Sequence, residues 1–190
     1  MIYKFITKTF ILIFLTCFNA YSQSEMSQNI SKEFTKIILS PEKITKNDYN
    51  NFWKQTGIKS REEKMNLIVA MKNSFVAVQE YNGDVWDCAE KSWIANKEID
   101  CAKLKKSTNT LKNIFYNSQE IDKFKEMEKN FTELIKISSK RGGNIDKSTN
   151  SSKVFKQITL ADIQKTKEDT KKILDRADVI LQPEFISSGF

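Results

Sequence analysis

The sequence predicts an all-α protein, an irregular bundle of about five to seven helices. Three observations carry this. Apolar residues recur at three- and four-residue spacing along most of the chain. Paired helix start and stop signals punctuate that pattern. Gly occurs 5 times and Pro 2 times in 190 residues, too few for a turn-dense β-sandwich or a glycine-rich phosphate loop.

The first segment, 1–22, reads as a secretory signal peptide. Lys4 and Lys8 form a basic start, 10–15 is an unbroken apolar run, and Ala20-Tyr21-Ser22 supplies small residues for cleavage before Gln23. The apolar run is too short for a membrane span, which needs about twenty residues. A lipoprotein would acylate Cys17, but Phe14-Leu15-Thr16 lacks the usual residues before such a cysteine. The expected destination is therefore the periplasm or the exterior.

The mature chain is expected to form a single helical domain over 23–182, followed by a tail over 183–190. A first helix over 27–39 shows Ile30, Phe34, Ile37 and Ile38 on one face and stops at Pro41. A short helix over 47–56 carries Tyr49, Phe52 and Trp53, with Gly57 as its C-cap. Ser60 and Glu63 form a capping-box pattern. The helix that follows reaches Tyr81 and is apolar on more than one side, as in the middle of a bundle. Asn82-Gly83-Asp84 then reads as a turn.

Two further helices over 85–95 and 98–106 would form a hairpin turning at Asn96-Lys97. A stretch over 108–116 comes next, then a long helix over 118–140 capped by Asn117 and Glu120. Residues 141–153 are polar and rich in Gly, Ser and Asn, and read as a loop. The last helix, 159–181, opens with Thr159 and Asp162 as a capping box and ends before Pro183. Its middle, 164–172, is almost wholly polar, which predicts a partly exposed helix.

Cys88 and Cys101 remain after cleavage, an even number in an oxidising compartment. On one unbroken helix they would lie about 20 Å apart, whereas a bridge needs Cα atoms within about 7 Å. A disulfide therefore demands a turn between them and would staple the 85–106 hairpin. The alternative is a continuous helix with two separate thiols.

Composition excludes several chemistries. The chain has no His, which removes imidazole acid–base catalysis, Ser-His-Asp and Cys-His nucleophiles and His-bearing zinc sites. No metal site and no cofactor is indicated. Loss of the leader leaves 29 basic residues against 24 acidic, and Arg occurs only at 61, 141 and 176. Dedicated phosphate sites favour Arg for its planar fork. The lysines therefore read as a solvated surface, and no nucleic-acid partner is expected outside the cytoplasm.

The remaining constellations are weak. Asp84, Asp87 and Glu90 lie one turn apart near Gly83, where a helix N-terminus would favour acidic residues without any chemistry. Asp175 and Asp178 repeat the spacing. Ser40-Pro41-Glu42-Lys43 fits a Ser-x-x-Lys pattern but lacks its companion elements. The lysine runs at 103–106 and 165–172 read as solvated faces, the second also able to lie against an anionic surface. The aromatic residues read first as core. Trp86 and Trp93 are seven apart and share a helix face, with Lys91 nearby. That trio is the candidate partner-binding patch, because Trp dominates interface hot spots. The functional expectation is an exported, non-enzymatic helical protein that binds a partner protein, of the inhibitor, immunity or interaction-module type. The alternatives are a basic protein held on the anionic envelope surface, or an enzyme using carboxylates.

Overall fold

The computed structural model describes residues 32–34, 36–37, 44–115, 121–141 and 158–182. The leader at 1–22, Ser40 to Lys43, the Asn117–Glu120 cap, the loop after Arg141 as far as 153, and the tail from Pro183 lie outside the described residues. Among the described residues the fold is helical without strands. Its helices are α1 (Lys46–Thr56), α2 (Arg61–Ala95), α3 (Ala102–Phe115), α4 (Ile121–Ser139) and α5 (Leu160–Ile180). Residues 32–34 and 36–37 are helical as well.

The chain divides into two compact units, one containing 11–76 and 172–190, the other containing 77–171. In the first, α1 is bounded by side-chain chemistry at both ends. Thr45 and Asp48 exchange hydrogen bonds in a full capping box, and Gly57 takes a left-handed φ of 72° as C-cap. The aromatic stripe of α1 is buried. Phe52 meets Trp53 at 4.9 Å and Phe34 at 6.4 Å, edge to face in both cases. Ile68, Met71 and Phe75 of α2 and Leu174, Ala177 and Ile180 of α5 are also core residues. Arg176 donates to the Ile37 carbonyl at 3.1 Å, tying the C-terminal helix to the N-terminal one in this unit.

In the second unit the core is again aromatic. Tyr81 packs on Phe124 and Phe131, Trp86 on Phe131, and Phe115 stacks on Phe124 at 5.5 Å. These rings come from α2, α3 and α4, so each helix is held by interdigitated faces rather than by its own propensity. Thr159 and Asp162 form the expected box at the start of α5.

Two expectations are corrected. The Asn82-Gly83-Asp84 turn does not form, and α2 runs through it as one helix of 35 residues. A glycine inside a helix costs about 1 kcal/mol relative to alanine. Burying a tryptophan such as Trp86 is worth about 4 kcal/mol or more by area, and Val85 and Ala89 are buried with it. Packing therefore overrides the local signal. The stretches expected at 98–106 and 108–116 are a single helix, α3, that starts at Ala102. The middle of α5 is partly exposed, as expected: Gln164, Lys165, Glu168, Lys171 and Lys172 face solvent, while Thr166 and Thr170 are buried. Their hydroxyls donate back to carbonyls one turn earlier, which lets a polar residue sit in a core.

A disulfide-walled cleft

The end of α2 determines where the two cysteines meet. Asn96 turns the chain with a left-handed φ of 53°, which Asn tolerates better than most residues. Its N–H donates to the Trp93 carbonyl and that of Lys97 to the Ser92 carbonyl, the paired bonds of a Schellman ending. Arg141 donates from Nε to the Trp93 carbonyl and from Nη2 to the Ile94 carbonyl, each at 3.2 Å. Four helix-end carbonyl bonds are thus supplied by two turns of chemistry. Residues 98–101 then return along α2, and the Cys101 carbonyl accepts the first helical bond of α3, from Lys105. Cys101 is bridged to Cys88 with Cα atoms 5.9 Å apart. The turn that the spacing requires is present at Asn96, as expected.

Beside the bridge lies an open cleft of about 640 Å³, between the 98–101 return, α3 and α4. Buried Tyr81, Phe131 and Cys88 line its floor. Half-buried Ile99, Leu104 and Ile135 line its walls. Its charges are largely matched to one another. Lys105 pairs with Asp100 at 2.7 Å and Lys112 with Glu128 at 2.8 Å, while Glu98 and Lys136 complete a rim of three acids and three bases. Burial, helped by the charge of Glu128, pushes the Tyr81 phenol well above its ordinary value of 10.0, so it stays protonated in this floor.

A second polar cluster joins α2 to α5. Lys167 Nζ lies 2.6 Å from Asp87 and 2.9 Å from Glu90, and Gln164 donates to the other oxygen of Glu90 at 2.9 Å. Gln164 first and Lys167 second hold the Glu90 carboxyl below its usual range. The hydrogen bond to Asp87 is the largest cause raising Lys167. Asp87 and Glu90 are therefore not dressing for a helix start, since α2 has no terminus there. They anchor Lys167, one lysine of the 165–172 run. Among the described residues no group of three metal-ligating side chains occurs, and no helix is long and apolar enough to cross a membrane.

The candidate patch is divided by the fold. Trp86 is fully buried, donating from Nε1 to Asn82 at 3.0 Å, so it is a core residue and not a surface anchor. Trp93 is half-buried at the last turn of α2 and Lys91 is exposed. Next to Trp93, Ile94 is 60% exposed. No local pattern in the sequence marks Ile99, Leu104 and Ile135 as sharing a cleft. The two cysteines were their only signal, because a bridge from a helix to a non-helical return creates a re-entrant surface around itself.

Neither a family model, nor a curated protein, nor a solved structure matches this chain. Its class is accordingly defined by its own geometry: an all-helical, disulfide-bridged protein with an apolar cleft beside the bridge.

Proposed function

We propose that the protein is an exported, non-enzymatic binding module, and that the cleft beside Cys88–Cys101 receives an uncharged apolar side chain of a partner protein. One observation carries the reading. The cleft combines half-exposed Ile99, Leu104 and Ile135 with a rim whose acids and bases are equal in number and mostly paired. Matched charges leave little net field to attract an ionic ligand, whereas exposed aliphatic surface gains about 25 cal/mol for every Å² covered. The volume falls within the range of ordinary ligand sites, about 300–1,000 Å³. Export is supported by the leader pattern and by the bridge, since disulfides persist in oxidising compartments. Binding is favoured over turnover because four of the six charged groups on the rim are paired with each other and burial holds the Tyr81 phenol neutral.

The test is capture from envelope and culture fractions with three proteins: the wild type, the Leu104→Glu/Ile135→Glu double variant, and Val69→Glu as a surface control. Val69 is 52% exposed and lies in the other unit. A partner retained by wild type and control but lost by the double variant supports the reading. Equal recovery by all three, with unchanged helical circular dichroism, overturns it.

A further inference from the structure

We propose that the Cys88–Cys101 bridge is a redox-sensitive latch whose opening releases residues 98–106 from the second unit while the remaining helices stay packed.

The pattern of burial motivates this. From Trp93 to Lys106 no residue is buried. The buried residues of α3 are Ser107, Leu111 and Phe115, all beyond Lys106. Residues 102–106 therefore contribute almost nothing to the core. The Schellman bonds and Arg141 secure the chain as far as Lys97. Beyond that point, Asp100–Lys105 is an exposed pair within the segment itself, and the approach of the Cys101 sulfur to the Ile99 carbonyl is local too. Exposed pairs of this kind contribute little to stability. The covalent bond is what fixes the start of α3 against α2. Regions with few buried contacts are the ones that open below the global free energy.

The segment also carries one side of the cleft, including Ile99, Leu104 and Lys105. Opening the latch would remove that wall and leave the floor of Tyr81 and Phe131 attached to the core. The switch does not depend on what the cleft binds.

The two sulfurs are unequally placed. Cys88 is 4% exposed, whereas Cys101 is half-buried. A small external thiol is the co-reactant. Its thiolate attacks Cys101 Sγ, the S–S bond breaks, and Cys88 leaves as a thiolate that takes a proton from solvent. A second thiolate then attacks the external sulfur of the mixed disulfide, releasing the small disulfide and the Cys101 thiolate. Two external thiols are oxidised and one protein disulfide is reduced.

Hydrogen exchange on the full chain, with and without reductant, tests the latch. Reduction is expected to speed exchange at least tenfold over 98–106 and to leave 107–115 and 121–139 protected. The Cys101→Ser variant should show the same pattern without reductant. Unchanged exchange over 98–106, or loss of protection throughout 77–171, overturns the proposal. Brief treatment with a monothiol, followed by acid quench and mass spectrometry, should place the adduct on Cys101. An adduct on Cys88 overturns the order of attack.

Discussion

The indole Nε1 of Trp86 donates to Asn82 Oδ1 at 3.0 Å, one turn back on the same helix, with both side chains buried. Asn82 Nδ2 also lies 3.5 Å from Thr170 Oγ1 of α5. Replacing Asn82 with Ala strands a buried donor, which costs about 1–3 kcal/mol. Urea unfolding of Asn82→Ala should show a lower midpoint with an unchanged slope.

Gly83 has an ordinary helical conformation, and a Cβ built on it meets nothing within 4 Å. Gly83→Ala should therefore stabilise the protein by about 0.5–1 kcal/mol, through helix propensity and reduced freedom of the unfolded chain. A fall in the melting temperature would mean that α2 breaks at this residue.

Most helices were legible in the sequence because their signals are local. Thr159–Asp162 and Gly57 were enough to locate an end of two of them. Asn82 and Gly83 were misread because their partners, Trp86 and Thr170, decide the outcome and Thr170 is 88 residues away. A comparable separation along the chain hid the engagement of Lys167 by Asp87 and Glu90. Trp86 and Trp93 share a face by spacing, but which end of that face is covered depends on α4, and no spacing rule within α2 contains that. The bridge was readable as a geometric condition, while the cleft next to it needed Ile135 from a different helix.

Lys167 is matched with two carboxylates at a half-exposed site. Lys167→Met should cost about 0.5–1 kcal/mol after screening by solvent. The cost should shrink as salt is raised from 20 mM to about 0.5 M, because the Debye length falls to a few Å. Melting curves of the two proteins at both salt concentrations measure it.

Stability should be level from about pH 5 to about pH 10, because the chain has no His and both cysteines of the fold are bridged. On the acid side, Glu90, Asp48 and Asp162 are held below their ordinary values of 4.5 and 3.8, by Gln164, Thr45 and Thr159 respectively. Their contribution is present above those values and is lost as pH falls through the lowered ones. On the alkaline side, burial pushes Tyr49 from 10.0 up to about 12. Lys167 is raised above 10.5. Both contributions are present below the ordinary values and are lost as pH rises through the raised ones. Urea midpoints across the pH range should trace this plateau with two falling edges. A titration near neutrality would contradict it.

A non-reducing tryptic map tests the bridge, and with it the cleft. After alkylation without prior reduction, residues 73–91, containing Cys88, should be recovered covalently joined to residues 98–103, containing Cys101. Reduction should separate them. Recovery of the two peptides apart, each alkylated on its cysteine, would contradict the bridge and remove the wall on which the binding reading stands.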